Sequence, residues 1–169
     1  MLFRSGTYPL PDAQLDRFLL NVRIGYPTQE DEITLTRQVT GATVGDRLSV
    51  DAVNPVLDPA GVAQLQSMAA SLTVDDAVLG YAVKLARATR DNQGLSRGAG
   101  PRASIALVRC ARARALMSGR NFATPDDVKS VALAVLRHRV AIAPELEIEG
   151  RDTDSVLKEL LALVEAPRL

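Results

Sequence analysis

The stretch Thr124-Pro-Asp-Asp-Val-Lys-Ser-Val-Ala-Leu-Ala-Val-Leu136 carries the clearest helix signal in the chain. Thr124 suits the N-cap, Pro125 fits the first helical position, and the acid Asp127 favours the positive end of a helix. The apolar residues recur at helical spacing and define one buried face, made of Val128, Val131, Ala132 and Val135. The stretch therefore predicts an amphipathic helix that packs against other helices.

Comparable start signals lie on both sides of this helix. They are capping-box spacings at 28–31 and 73–76, the Asp58-Pro59 pair, Pro101 with Gly119 as the helix end, and Thr153. The expected buried stripe behind 73–76 is Val74, Val78, Tyr81, Ala82 and Leu85. We interpret 41–55 as irregular and 91–100 as a glycine-rich loop. Several amphipathic helices with short connections predict a mainly α fold, a helical bundle.

Two segments are predicted to be extended rather than helical. Phe18–Tyr26 is short, apolar and followed by Pro27, which is typical of a strand. No second strand is predicted to pair with it, so its partner strands are expected to lie outside this chain. Pro144–Glu149 has acids at every second residue and predicts an edge strand or extended loop. Its acids are interpreted as solvated rather than as Mg²⁺ ligands.

The composition excludes several classes of protein. The chain has 169 residues, 47% of them apolar, with one Cys and one His. Cys110 alone cannot form an internal disulfide, and one His with one Cys nearly excludes a zinc site. The longest strongly apolar run, 131–136, is far shorter than the ~20 residues of a membrane helix, and no signal segment opens the chain. We therefore expect a cytoplasmic protein with no metal site and no membrane span.

A net charge of zero conceals an uneven charge distribution. Residues 1–83 carry 5 basic and 10 acidic groups, whereas 84–120 carry 9 basic groups and a single acid. Residues 121–169 carry 6 basic and 9 acidic groups. The basic block indicates nucleic acid, nucleotide phosphate or an acidic partner as the ligand, or else a solvated face that spatial neighbours balance. Composition leaves these alternatives open.

Two arginines are candidate anion ligands, although no complete catalytic motif is present. No Lys follows a Gly, so the chain has no Walker A loop. Arg102 lies in the first turn of the helix that Gly100-Pro101 opens, where a cation is unfavourable unless an anion binds there. Arg97, just upstream, could reinforce that site. The alternative is an Arg102 side chain that points into solvent.

Arg17 is the second candidate, in the segment Leu15-Asp16-Arg17-Phe18, which follows two prolines. An arginine on such a stiff support can be offered to a phosphate on a neighbouring molecule. The alternative is an ordinary Asp16–Arg17 surface pair. The single histidine, His138, is interpreted as a surface or capping residue.

These residues and several others resemble the MoxR family of AAA+ ATPases. The matching segments are Gly6-Thr-Tyr-Pro-Leu-Pro-Asp-Ala-Gln-Leu-Asp-Arg-Phe18, Ile24-Gly-Tyr-Pro27, Gly98-Ala-Gly-Pro-Arg-Ala103, Phe122-Ala-Thr-Pro-Asp-Asp-Val128, Leu136-Arg-His-Arg139 and Pro144-Glu-Leu-Glu147. The resemblance covers only the C-terminal part of the family's usual chain. The family's Walker A, Walker B and sensor-1 residues would lie before residue 6.

The resemblance implies roles for the candidate residues. Arg17 would be the arginine finger acting in trans, with Asp16 and Phe18 supporting it at a subunit interface. Arg102 would be the sensor-2 arginine, close to Gly100, Pro101 and Arg97 at the nucleotide. Residues 1–26 would be a remnant of the α/β core, with an artificial start at 1–5 and a last strand at 19–26, and residues 27–169 would be the helical lid.

For the intact protein, the resemblance implies a homo-oligomeric ring, expected to be hexameric, that uses ATP and Mg²⁺. It would remodel or mature partner proteins in a chaperone-like way, some of them with a von Willebrand factor A domain. The chain alone is expected to be inactive, with Leu15, Phe18 and Leu19 exposed. The alternative function is a small helical module that binds nucleic acid or a protein partner through 84–120, using Arg87, Arg90, Arg109, Arg112 and Arg114.

Overall fold

The computed structural model describes residues 10–41 and 53–167. These ranges form α1 (Asp12–Leu15), α2 (Gln29–Thr40), α3 (Pro59–Ser71), α4 (Asp76–Ala88), β1 (Leu95–Arg97), α5 (Pro101–Met117), α6 (Pro125–Leu136), β2 (Ala141–Ile142), α7 (Pro144–Ile148) and α8 (Thr153–Leu163). They fall into two compact units, one with residues 10–21 and 66–167, the other with residues 22–41 and 53–65. The prediction of a mainly α fold is confirmed.

The hydrophobic core of the larger unit lies between α4, α5, α6 and α8. Its largest fully buried side chains include Leu85, Leu107, Leu136 and Leu157, one from each of these helices. On α5 the buried face consists largely of alanines, and these short side chains let the neighbouring helices approach closely. Each of these helices thus buries one face, and for α4 and α6 the sequence predicts that face.

Several helix ends form as predicted, through local side-chain hydrogen bonds. Thr28 Oγ1 accepts from the Asp31 amide at 3.2 Å, and Asp58 Oδ1 accepts from the Gly61 amide at 2.7 Å. Gly119 follows α5 with a φ of +71°, and the Arg120 amide donates to the Ala115 carbonyl at 3.0 Å. The left-handed turn at Gly119 lets the Arg120 amide reach back to a carbonyl in the last turn of α5.

Two predicted caps are wrong by one or two residues. The N-cap of α4 is Asp75, whose Oδ1 accepts from the Ala77 amide at 2.7 Å. Thr73 is not available as the cap because its backbone bridges the Asn121–Ala123 segment, which leaves Val74 outside the helix but half-buried. The N-cap of α8 is Asp152, which accepts from the Ser155 amide at 2.8 Å, and Thr153 is the first helical residue.

The extended segments also differ from prediction. The loop 91–100 contains β1, which pairs antiparallel with β2 through Leu95–Ile142 and Arg97–Ala141. Pro144–Glu149 is not extended but begins with α7, because Pro144 occupies the first helical position and the acids favour the positive helix end. Phe18–Tyr26 forms no strand in this chain, and the expectation that its partner strands lie elsewhere stays a prediction.

The helices of the smaller unit are exposed along most of their length. Helix α2 buries no residue, and neither does α3, which begins in this unit. Of the predicted irregular stretch 41–55, residues 42–52 lie outside the described residues, and 53–55 belong to no helix or strand. Across 10–41 and 53–167, the helices are all too short or too polar to span a bilayer.

The start of α6 couples folding stability to pH. Asp127 is buried, its Oδ2 accepts from the Thr124 amide at 2.8 Å, and Arg120 bonds both of its oxygens at 2.7 and 2.6 Å. The Arg120 hydrogen bond and those from Thr124 lower the pKa of Asp127, although burial opposes them. The pKa of Asp127 is thus lower in the folded chain than the ~3.9 of an unfolded one. Its contribution to the free energy of unfolding is therefore present above about pH 4 and disappears as the pH falls through the folded-state pKa.

We expect Asp127→Asn to lower the free energy of unfolding by about 2 kcal/mol at pH 7, since it removes charged hydrogen bonds, and to flatten the acid loss of stability. Urea unfolding at pH 7, 5, 4 and 3 measures both effects. Asp91→Asn, at an exposed position, is the matched control. Equal acid slopes in the parent chain and in Asp127→Asn would contradict the assignment.

Candidate anion-binding site

A cleft of about 490 Å³ lies beside the first two turns of α5, within the larger unit. Four arginines and one carboxylate line it, together with three apolar side chains: Arg17, Arg102, Arg109, Arg139, Asp16, Leu19, Ile105 and Ala106. The arginines come from three separate parts of the chain: the segment after α1, helix α5 and the segment after α6. The fold thus gathers positive charge that is dispersed in the sequence.

Helix α5 contributes two of the arginines from one face. Gly100 is its N-cap and Pro101 its first residue, so Arg102 lies in the first turn. Arg109 follows seven residues later, which places it about two turns, or ~10 Å, along the same face. Ile105 and Ala106 lie between them and form the apolar wall of the cleft.

The loop before α5 is fixed to the end of α4. The fully buried Thr89 accepts from the Ala99 amide through Oγ1 at 2.8 Å, and Arg90 Nε donates to the Ala99 carbonyl at 2.8 Å. Gly98 packs so closely that a Cβ would lie 2.5 Å from Arg90 Cα, which only glycine avoids. These contacts set where α5 begins and therefore where Arg102 stands.

The segment after α1 is held by the end of α6. The Asn21 amide donates to the Ala134 carbonyl at 2.8 Å, and Arg137 Nη1 donates to the Asn21 carbonyl at 3.3 Å. His138 Nε2 lies 3.1 Å from the Phe18 carbonyl oxygen. Burial lowers the pKa of His138, so at neutral pH the ring is uncharged and can donate from Nε2 to that carbonyl.

The charges in the cleft are unevenly compensated. Asp16 lies between two arginines, with Oδ1 3.2 Å from Arg139 Nε and Oδ2 3.5 Å from Arg102 Nη1. Burial lowers the pKa of Arg139, and Asp16 partly offsets that effect. Within 10–41 and 53–167, the side chains of Arg17 and Arg109 form neither a hydrogen bond nor an ion pair. Four positive groups against one carboxylate give this cleft an excess of positive charge, which favours an anionic ligand.

The structure brings together some predicted site residues but not all. Arg17, Arg102 and Asp16 line the same cleft, and Asp16 pairs with Arg102 and Arg139 rather than with Arg17. Arg97 does not line it, because Arg97 pairs with Asp12 in a neighbouring depression of about 190 Å³. Phe18 is 56% exposed, and its carbonyl rather than its side chain contacts His138.

Two arginines of the cleft, Arg109 and Arg139, were not predicted for this site, although Arg109 was a predicted nucleic-acid ligand, and His138 was predicted to be a surface or capping residue. Arg109 could have been found from its spacing of seven from Arg102. Arg139 belongs to the Leu136–Arg139 motif, but nothing local shows that its side chain is buried. His138 is half-buried against Phe18 rather than a surface residue. No three of the His, Cys, Asp and Glu side chains in the described ranges are placed to hold a metal ion.

Comparisons with known proteins place the chain in a class. Residues 87–160 match the AAA lid domain, and that range contains α5, α6, α7 and most of α8. A crystal structure of a candidate ATPase from Cytophaga hutchinsonii superposes on 98% of the chain with a TM-score of 0.83 and 29% identity. Residues 87–160 therefore belong to the class of AAA lid domains.

The sequence relatives of the chain narrow this class to a family. The chain is 32% identical over 174 residues to the chaperone MoxR1 of Mycobacterium tuberculosis, and 34% identical over 164 residues to the uncharacterized protein YeaC of Bacillus subtilis. These alignments cover 98% and 96% of this chain. The chain is thus related to the MoxR family of AAA+ ATPases. It spans about half the length of the relatives it matches, 44% of MoxR1 and 49% of YeaC.

Proposed function

We propose that the cleft binds the phosphates of an ATP molecule held by a neighbouring subunit, with Arg17 as the arginine finger and Arg102 as the sensor-2 arginine. The observation that carries this proposal is the gathering of four arginines against the single carboxylate of Asp16. A phosphate chain is a compact ligand with several negative charges, and guanidinium groups bind it through paired N–H donors.

The position of the two arginines bears on whether they act in cis or in trans. An arginine finger stabilises charge on a nucleotide that another subunit holds. Arg17 and Arg102 line one cleft of one chain, so both would contact the same phosphate chain. On this proposal Arg102 also acts in trans, and Arg17 and Arg102 bind the same nucleotide.

The surface around Arg17 is suited to an interface between subunits. Phe18 and Leu19 follow Arg17 directly and are 56% and 47% exposed. Exposed apolar groups of this size beside a charged ligand site are typical of surfaces that another protein covers.

The intact protein would accordingly be a ring of subunits, and the other half of each subunit would bind the Mg²⁺-ATP. A chaperone-like action on partner proteins, including ones with a von Willebrand factor A domain, is part of the same proposal, as is a location in the cytoplasm.

The grouping of basic residues favours this function over nucleic-acid binding. Arg90 is engaged with the Ala99 carbonyl, and Arg102 and Arg109 face the cleft, whereas Arg114 lies outside it. An extended nucleic-acid backbone would need a continuous basic stripe. The basic block 84–120 is instead divided between loop packing and one compact site.

Binding of inorganic triphosphate to the chain tests the site directly. We expect Arg17→Ala and Arg102→Ala each to raise the Kd about tenfold at low salt, since a hydrogen bond to a charged group contributes ~1.5 kcal/mol. Added salt should weaken binding by the parent chain, because part of the attraction is screened. Isothermal titration calorimetry measures both effects.

The matched control is Arg114→Ala, an exposed arginine of the same helix outside the cleft, which should bind triphosphate as the parent does. An equal loss in Arg114→Ala would mean that only net charge matters, and the cleft would not be a site. Salt-sensitive binding of a DNA duplex that Arg114→Ala abolishes would favour the nucleic-acid module instead.

A further inference from the structure

Arg139 uses every N–H donor of its guanidinium within the fold. Nε donates to Asp16 Oδ1 at 3.2 Å, Nη1 donates to the Leu19 carbonyl at 3.1 Å, and Nη2 donates to the Asp16 carbonyl at 3.1 Å. The two remaining donors bond the Phe18 carbonyl through Nη2 and the Val135 carbonyl through Nη1. Five donors thus meet five acceptors, which is the full capacity of an arginine side chain.

These acceptors belong to the segment that carries Arg17. Four of the five come from residues 16–19, more than 110 positions away in sequence, and the fifth is the carbonyl of Val135 in the last turn of α6. The side chain of Arg139 is only 2% exposed, so these bonds form in a region from which water is largely excluded. A buried charge of this kind holds its partners firmly because separating them would leave it unpaired.

The same contacts reach the neighbouring arginines of the cleft. Asp16 shares its carboxylate between Arg139 and Arg102, and Arg17 is the next residue in the chain. The Arg17 amide donates to the Gln14 carbonyl at 3.1 Å, but within the described residues the Arg17 side chain has no hydrogen bond or ion pair that could fix its place. The backbone around Arg17 is therefore held by Arg139, together with His138 at the Phe18 carbonyl and the Asn21 amide at the Ala134 carbonyl.

We propose that Arg139 is a positioning residue, which sets where Arg17 stands relative to Arg102 by holding the Asp16–Leu19 backbone against the end of α6. The role of Arg17 as a phosphate ligand rests on the proposed function, but the position that Arg139 gives to the Arg17 backbone is a property of the chain alone. Lysine cannot replace Arg139 in this role, since a single ammonium group offers three donors from one atom and cannot span five acceptors.

Amide hydrogen exchange of the full chain tests the positioning without any ligand. The amides of Arg17, Phe18 and Asn21 are hydrogen-bonded to Gln14, Leu15 and Ala134 and report local opening of the segment. In Arg139→Lys we expect these three amides to exchange at least tenfold faster, while buried amides of α5 keep their rates. Arg151→Lys, at an exposed ion pair of the same unit, is the control and should change none of them.

A mutant cycle with inorganic triphosphate tests the consequence for the cleft. In the Arg139→Lys background, Arg102→Ala should still weaken triphosphate binding severalfold, but Arg17→Ala should change the Kd less than twofold. A purely structural role for Arg139 would instead leave the Arg17→Ala effect as large as in the parent chain.

The two measurements separate the possible failures. Unchanged exchange at residues 17–21 in a folded Arg139→Lys chain, or an undiminished Arg17→Ala effect in that background, would overturn the positioning role. If triphosphate does not bind the parent chain, the proposed function fails, while faster exchange still supports positioning.

If Arg139→Lys does not fold, a second variant replaces it: Asp16→Ala removes the one side-chain acceptor of Arg139. Asp16→Ala should speed exchange of the Arg17 and Phe18 amides about threefold, and unchanged exchange rates of these amides would overturn the proposal.

Discussion

Replacing Arg17 with Ala is expected to lower kcat for ATP hydrolysis about 10³-fold in a longer protein that joins this chain to its nucleotide-binding half. The expected loss is large because an arginine finger stabilises charge that develops only in the transition state. For the same reason, the KM for ATP should change little. Steady-state ATPase assays on the assembled protein measure both parameters. Arg114→Ala in the same protein is the control and should retain the parent rate.

Mixing two inactive variants shows whether Arg17 acts between subunits. One variant carries Arg17→Ala, and the other carries a substitution in its nucleotide-binding half that prevents ATP binding. If Arg17 acts in trans, mixed assemblies contain interfaces where an intact nucleotide site meets an intact Arg17, and part of the activity returns. Mixtures as inactive as the separate variants would contradict action in trans, and full activity of Arg17→Ala alone would remove Arg17 from the reaction.

Leu107→Ala is expected to lower the free energy of unfolding by about 2–5 kcal/mol. Leu107 lies in the middle of α5, is fully buried, and belongs to the core shared with α4 and α6. The surrounding helices are tightly packed and cannot collapse fully into the space left behind, so the mutation would leave a cavity. A loss of this size is a large part of the ~5–15 kcal/mol that stabilises a domain.

Urea unfolding followed by circular dichroism measures this loss. Met117→Ala on the same helix is the matched control, since that side chain is 81% exposed and its truncation should change stability by less than about 0.5 kcal/mol. Similar losses in the two variants would mean that the buried face of α5 does not form the core.

The helices could be predicted from the sequence because their signals are local. Thr124, Pro125 and Asp127 mark the start of α6 within four residues, and the structure contains that complete capping box. The caps of α4 and α8 were misplaced because neighbouring residues could serve equally well by local criteria. In α4 the cap is Asp75 rather than Thr73 because Thr73 forms a β-bridge with the distant residue Phe122, and no local pattern reveals that contact.

The candidate site was only partly predictable. Arg102 and Arg17 stood out through their local settings, one at a helix start and the other in a stiffened segment. Arg139 holds the segment of Arg17 against the end of α6, and four of its five acceptors lie more than 110 residues away. Contacts of that range follow from the packing of the whole unit, so sequence patterns could not show them. The short strands β1 and β2 were missed for a related reason, since each is too brief to carry a periodic pattern.

The Asp16 carboxylate has a consequence for selectivity. With Oδ2 3.5 Å from Arg102, it occupies part of the space near the guanidinium that an incoming anion would use. An arriving anion must therefore displace an internal competitor and not only water. A singly charged ion such as chloride or acetate gains little from that exchange, whereas a polyphosphate reaches Arg17 and Arg109 at the same time and gains more than it loses. If the cleft binds phosphates as proposed, Asp16 would therefore favour multivalent anions over singly charged ones.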